Sequence, residues 1–310
     1  MSRAVIYEKF GGPEVLELRD VPEPHAGANE IRVRVTNAGL NPVDWYLSSV
    51  PEAAKQFGVN LPSGFGNDFA GIVDEVGDGV KGFAVDEHVY GGSLGRAVAD
   101  FIVVQISPQG PSQLWHTPKG ISDEIASTLS VAGRTASAAI AAIGGLKSGD
   151  TVLVGGAAGG VGVFVVQLAK IAGAKVIGTA SESTFEFLRQ FGIEPVAYGP
   201  GLADRVKALA PEGLTAAIDL YGTETAETAI ALGVSPDRIS TIAAGPNAPA
   251  GVQATGGREA GPDALEKITD EILAGHFTVP IAAKFPVEQI REAVTLQSGR
   301  HVHGKVVITF

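Results

Sequence analysis

The chain is 310 residues long, carries a formal net charge of −11 and contains no cysteine. With 45% hydrophobic and 18% charged residues it reads as a packed globular protein, not a disordered one. The acidic balance argues against nucleic-acid and anionic-membrane partners. The missing cysteine removes disulfides, thiol nucleophiles, iron–sulfur clusters and cysteine-ligated zinc together. At about 150 residues per domain, the length accommodates two domains. No apolar run approaches the ~20 residues of a membrane span. Met1–Tyr7 reads as a strand and not as a signal peptide, so a cytoplasmic location is expected.

The first hundred residues read as β-rich. Strands are expected over Ala4–Tyr7, Leu16–Arg19 and Ile31–Thr36, broken by Gly11-Gly12-Pro13 and Pro22-Glu23-Pro24. The run Ile31-Arg32-Val33-Arg34-Val35 alternates, which puts one face inside and one in water. Asn41-Pro42 marks a turn before a short helix at Val43–Leu47, and Pro51–Gly58 is a second helical patch. Strands resume around Gly66–Gly77, Glu87–Tyr90 and Phe101–Val104. Many short strands with glycine turns imply a barrel-like β domain. Two helices follow between Gly120 and Ala142, the first capped by Ser122.

From Asp150 the pattern changes to alternating strand and helix. Thr151–Val154 is a short β-branched strand, Gly155–Gly162 a turn, and Val161, Val165, Leu168 and Ala172 recur at helical spacing. Lys175 opens the next strand, which closes one βαβ unit. The turn reads Ala157-x-Gly159-x-x-Gly162, a dinucleotide fingerprint with alanine in the first glycine position. Gly159 lets the backbone approach a pyrophosphate, Gly162 lets the helix pack on the strand, and the N–H groups across Ala158, Gly159, Gly160, Val161 and Gly162 face the anion. Further helices are expected at Thr184–Phe191, Thr223–Leu232 and Pro262–Ala274, with strands at Ala216–Leu220 and Arg238–Ala243. Such alternation builds a parallel sheet covered on both faces. Gly245–Gly261 reads as an irregular loop, and Val306–Phe310 as the last strand. The six histidines show no metal-ligand spacing.

Several blocks in order carry a family resemblance. They are Phe10-Gly11-Gly12-Pro13, Gly39-Leu40-Asn41-Pro42-Val43-Asp44, Pro62-Ser63-Gly64-x-Gly66-x-Asp68, Ala132-Gly133-x-Thr135-Ala136, the Ala157–Gly162 turn, and Ser298-Gly299-Arg300-x-x-Gly304-Lys305-Val306-Val307. Together they resemble the medium-chain dehydrogenase/reductase superfamily, in its zinc-independent quinone oxidoreductase branch. The resemblance implies an α/β protein: a β-rich GroES-like barrel domain plus a Rossmann doubly wound parallel-sheet domain. The expected boundaries are 1–120 for the first, 121–275 for the second, and 276–310 for a C-terminal return to the first.

Zinc alcohol dehydrogenases of this superfamily carry a cysteine ligand in the Asn41 block, and Gly-His-Glu where this chain has Gly66-Asn67-Asp68. Asparagine is a poor zinc ligand, so no metal is expected, and alcohol oxidation is disfavoured. By the same resemblance Asn41 faces the nicotinamide and substrate. Its amide is expected to donate to the acceptor oxygen as charge develops there, with Asp44 bracing the turn. Related enoyl reductases use a tyrosine near Tyr46 as proton donor. Thr135, Gly245 and Lys305 resemble residues beside the cofactor, and the acceptor pocket is expected between Asn41 with Tyr46 and Thr135 with Gly245.

The end of the second cofactor strand bears on cofactor choice. An NAD site places an acid there; here the strand ends Gly178-Thr179-Ala180-Ser181, and Glu182 lies beyond it. Thr179 and Ser181 suit a phosphate, and Tyr198 resembles the family tyrosine near it. The family's basic residue is absent at Thr184, and Arg189 and Arg134 are the side chains available to compensate. NADPH is therefore expected over NADH. The resemblance implies hydride transfer to quinones or α,β-unsaturated carbonyls, and a homodimer paired near Arg238–Ala243. Two other readings stay open: an enoyl-thioester or biosynthetic tailoring reductase, and a non-catalytic NADPH-binding structural or regulatory protein.

Overall fold

The structure is a computed structural model and describes residues 1–106 and 114–310. The chain divides into two compact units, 1–131 with 281–310, and 132–280.

The first unit is built on a sheet whose strands run in the order Ile281–Pro286, Lys305–Thr309, Glu30–Leu40, Asp68–Val76, His88–Gly92 and Leu114–His116. Phe101–Gln105 also pairs with Glu30–Leu40, and a small sheet joins Glu17–Val21, Ser2–Tyr7 and Ser63–Gly64. The β domain of the sequence is thus present, with the chain's last strand inside it. That strand lies antiparallel to Glu30–Leu40, with Val306 opposite Leu40 and Ile308 opposite Ala38. Ile31, Val33, Val35, Phe69, Val73 and Val89 bury one side of the sheet; Val5, Leu16, Leu40, Phe65, Val306 and Ile308 form a second core.

The alternation at Ile31–Val35 holds for Arg34, which is exposed, and fails for Arg32, which is buried. The Arg32 guanidinium stacks 4.7 Å from the centre of the Phe101 ring and bonds Asp74 at 2.9 Å and Glu23 at 3.0 Å. A delocalised cation with its hydrogen bonds satisfied can be covered in this way where an unpaired one cannot.

The second unit carries a six-stranded parallel sheet in the order Glu194–Ala197, Lys175–Ala180, Thr151–Gly155, Ala216–Asp219, Ile239–Thr241 and Gln253–Ala254. Counting strands along the unit, that is 3-2-1-4-5-6, two mononucleotide-binding halves meeting between Thr151–Gly155 and Ala216–Asp219. Gly162–Ile171, Phe185–Arg189, Leu202–Leu209 and Glu224–Ala231 connect the strands. Three of these elements have no counterpart in the sequence reading. Glu194–Ala197 contains Pro195, which reads as a breaker but is tolerated because this strand lies at the sheet's edge. The helix Leu202–Leu209 follows it. Gln253–Ala254 lies inside the expected Gly245–Gly261 loop. It carries the sheet one strand past Ile239–Thr241, which is paired on both sides, with Ala217 against Ile239 and Ser240 against Gln253.

Candidate functional site

The fingerprint turn is built as its spacing requires, with one shift. Thr151–Gly155 ends at the turn, and the helix begins at Gly162. The left-handed residue that makes the turn tight is Gly156, at φ 67°, one position before the alanine aligned with the first glycine. Gly162 is fixed by space: a Cβ there would lie 2.2 Å from the Gly156 carbonyl oxygen. Ala157 is fully buried, against the strand at Gly178. Gly159 donates to the Gly156 carbonyl at 3.0 Å, and Gly160 and Val161 stay partly exposed above it. A helix start leaves its first N–H groups without intrahelical partners, so this edge is polarised toward an anion.

Thr179 has a different part from the one expected of it. It is 4% exposed, its Oγ1 accepts the Gly156 N–H at 3.1 Å, and its carbonyl accepts the Ala157 N–H. It locks the turn from the second strand and is not presented to a phosphate. Ser181 is better placed. Ala180 pairs with Ala197, so Ser181 and Tyr198 each stand one residue beyond the paired ends of neighbouring strands. Ser181 Oγ lies 3.0 Å from Ser183 Oγ and 2.8 Å from Thr184 Oγ1, a cluster of three hydroxyls. Tyr198 is 56% exposed. Sequence reasoning passed over Ser183, whose signal was its nearness to Ser181. It also passed over Arg205, which donates to the carbonyls of Ala197, Tyr198, Gly199 and Pro200 and so holds the Tyr198 loop.

Arg189 does not compensate for the missing base. It lines a groove with Lys175 and Glu194, the first residues of their strands, and pairs with Glu186. Ser181 follows the other end of the strand Lys175–Ala180, about 17 Å away at ~3.3 Å per residue.

On the far side of the switch point, Asp219 ends its strand fully buried. Its Oδ1 accepts from the N–H groups of Tyr221 and Gly222, and its Oδ2 from those of Thr225 and Ala226, at 3.0 to 3.1 Å. One carboxylate thereby fixes the strand-end loop and caps the helix Glu224–Ala231. Acid at a strand end just before a helix was the available signal. Thr135 is 8% exposed on the helix Leu129–Ala142, and a Cβ on Gly257 would lie 3.1 Å from its Oγ1. Gly245 opens a turn beyond Ile239–Thr241, exposed and at φ 51°.

In the first unit, Asn41, Asp44, Asp68 and Lys305 form one buried cluster, none more than 5% exposed. The Lys305 ammonium donates to Asn41 Oδ1 at 2.5 Å and to the Leu40 carbonyl at 3.1 Å. Asn41 Nδ2 donates to Asp68 Oδ2 at 2.9 Å and to the Gly39 carbonyl at 3.3 Å. Asp68 also accepts the Val131 N–H, at 3.0 and 3.2 Å. This differs from one expectation. The Asn41 amide protons are committed to Asp68 and Gly39 and are not offered to an acceptor oxygen, while Lys305 is held inside the first unit by Asn41 and Leu40. Asp44 braces the turn as expected: its Oδ2 accepts the Asn41 N–H at 2.8 Å. Its Oδ1 has no partner among the described residues, and burial pushes the carboxyl up to about 8. Burial also lowers Lys305, against the attraction of Asp68 and Asp44. Tyr46, on the same short helix Pro42–Ser49, is 46% exposed.

Known proteins bear on this arrangement. The profile of the alcohol dehydrogenase GroES-like domain matches residues 27–100, and that of the zinc-binding dehydrogenase matches 160–253. A quinone oxidoreductase of Pseudomonas aeruginosa is 35% identical over 236 residues, 74% of this chain and 70% of that one. The solved quinone oxidoreductase of Coxiella burnetii superposes with a TM-score of 0.86 at 28% identity, over 100% of this chain and 99% of that one. A mycobacterial protein solved with NADPH superposes with a TM-score of 0.86 at 25% identity, over 100% of both chains. A GroES-like unit and a Rossmann-like unit in one chain are the mark of a dinucleotide-dependent oxidoreductase. The chain belongs to the medium-chain dehydrogenase/reductase superfamily, in its quinone oxidoreductase branch.

The zinc in one profile's description does not fit the residues present. Asn41 stands at a resembled ligand position, and its one carbonyl oxygen already holds an ammonium at 2.5 Å. A dication on the same oxygen would face that fixed positive charge at close range.

Proposed function

We propose that this protein reduces quinones or α,β-unsaturated carbonyls with NADPH and without zinc. The observation that carries the cofactor choice is the acid-free strand end where Ser181, Ser183 and Thr184 cluster beside exposed Tyr198. Hydroxyl groups donate well to a phosphate dianion, whereas an NAD ribose is held by a carboxylate. The name of the similar Pseudomonas aeruginosa protein and the NADPH in the mycobacterial one support the same reading.

When bound, NADPH supplies a hydride. The chain supplies its placement: the Gly156–Gly162 turn and helix start hold the pyrophosphate, and Asp219 fixes the loop beyond the fourth strand. A conjugated acceptor spreads incoming charge onto its oxygen, so it needs no Lewis acid; the compensating proton comes from solvent or from Tyr46, the exposed hydroxyl of the Pro42–Ser49 helix. A homodimer paired along the Gln253–Ala254 edge would cover otherwise open backbone groups.

The test is NADPH oxidation across a panel of quinones and enones, with cofactor affinities from fluorescence titration. Turnover of at least one acceptor, and tighter binding of NADPH than NADH, are expected. Tighter NADH binding would overturn the cofactor choice and implicate Glu182. No turnover with intact NADPH binding would overturn the activity in favour of a non-catalytic NADPH-binding protein.

A further inference from the structure

The mismatch with zinc has a positive counterpart in the same place. The pairing of Val306 with Leu40 brings Lys305, 264 residues away in sequence, beside Asn41. From there the hydrogen bonds form a line. The Lys305 ammonium donates to Asn41 Oδ1, Asn41 Nδ2 donates to Asp68 Oδ2, and the Val131 N–H donates to both Asp68 oxygens. The last strand, the Asn41 turn, the strand Asp68–Val76 and the first turn of the helix Leu129–Ala142 are tied at one point. The side chains of Lys305, Asn41 and Asp68 are all at least nine-tenths buried.

Buried ion pairs are seldom the most stabilising choice at a site; their best-attested use is to fix one geometry among several. A cation and an anion joined through an oriented amide can be satisfied in only one arrangement. We propose that the Lys305 ammonium, bridged by Asn41 to Asp68, is an internal cation that positions the Asn41 turn and the Tyr46 helix, where zinc dehydrogenases of the superfamily use a metal ion. Lys305 and Asp68 are positioning residues and touch no substrate. The catalytic consequence rests on the reductase reading above; the structural claim does not.

The test uses the full-length protein with Lys305→Met and Asp68→Asn combined. The pair removes both charges, and the new amide at position 68 keeps an oxygen that can accept from Val131. Folding, NADPH affinity, and kcat and KM for an accepted quinone or enone are measured against wild type. The expected result is a folded variant whose NADPH affinity stays within about threefold while kcat falls at least ~10-fold. Unchanged kcat in a folded variant overturns the positioning role. If the double variant does not fold, native-state hydrogen exchange of the wild type decides: a Val131 amide among the slowest of the first unit supports the tie, and loop-like exchange there overturns it. Zinc titrated with a chromophoric indicator adds a separate arm, in which stoichiometric binding by the wild type overturns the internal cation. If wild type reduces no acceptor, the reductase reading fails, and the exchange and zinc results alone decide the claim.

Discussion

The cofactor turn and the Lys305 cluster are both polar devices in tight space, and they were made in opposite ways. The turn is local: six residues, a strand before and a helix after, with backbone groups as the functional atoms. The cluster is assembled from residues 41, 44, 68, 131 and 305, with side chains as most of the functional atoms. A local backbone device tolerates changes that leave its φ angles and open space alone. An assembled side-chain device fails when one member is removed, because the partner is left buried and unsatisfied. Predictions that separate the two follow from that difference.

The largest effect is expected in the cluster. Lys305→Met alone leaves Asp68 as a buried carboxylate without its cation and should cost about 3–5 kcal/mol of stability, measured by urea unfolding. Adding Asp68→Asn should restore much of it. A loss below about 1 kcal/mol, as for an exposed pair, would make the cluster no different from a surface contact. In the turn, Gly159→Asp should cost far less stability, since a Cβ there meets one atom, the Gly156 carbonyl oxygen, in a tight 3.3 Å contact that a small shift relieves. It should cost at least ~100-fold in NADPH affinity, about 2.7 kcal/mol, by placing a negative charge where the pyrophosphate binds. Unchanged affinity would make the turn structural only.

The cluster also has a pH signature that the turn lacks. The Asp44 carboxyl titrates at about 8 in the folded chain, against 3.8 unperturbed. Between those values the folded state holds a proton that the unfolded state has lost. The contribution of Asp44 is therefore greatest below 3.8, declines as pH rises, and levels off above about 8. Asp44→Asn removes this dependence while keeping an oxygen for the Asn41 N–H. Relative to wild type, the variant should gain stability with rising pH from about 5 to 7, at up to about 1.4 kcal/mol per unit. Parallel unfolding profiles for the two proteins would show that Asp44 is not held protonated. Lys305, lowered by burial, acts with the opposite sign below its ordinary 10.5.

The same contrast explains what was legible in the sequence. Gly159 and Gly162 could be read because strand, turn and helix lie within one window. Even there the tight-turn glycine is Gly156, since a spacing pattern shows where glycines are and not which one has positive φ. In the sequence Asn41 points at a substrate because the resemblance to the family places it there. Its commitment to Lys305 and Asp68 depends on the pairing of Glu30–Leu40 with the last strand, which no local pattern encodes. A signal did exist: Lys305-Val306-Val307-Ile308 is buried throughout, and a lysine opening a continuous apolar strand must find partners inside. Thr179 differs for the opposite reason, since its hydroxyl suits a phosphate in composition but is buried beneath the turn, where it accepts the Gly156 N–H.

The smallest effect tests the adenosine end, where a local and an assembled reading meet. Ser181 and Ser183 are close in sequence, yet Tyr198 joins them only through the pairing of Ala180 with Ala197. If the hydroxyls hold a phosphate dianion, replacing both by alanine removes two charge-assisted hydrogen bonds, each refilled in part by water. The net cost for NADPH should be about 1.5 kcal/mol, or roughly tenfold in Kd. NADH, with no phosphate at that ribose, should lose little, so the ratio of the two affinities is the quantity to measure. Thr179→Ser serves as the control, because it keeps the oxygen that accepts from Gly156 and should leave the ratio alone. An equal loss for both cofactors in the double variant would mean that the serines support the strand end and do not read the phosphate.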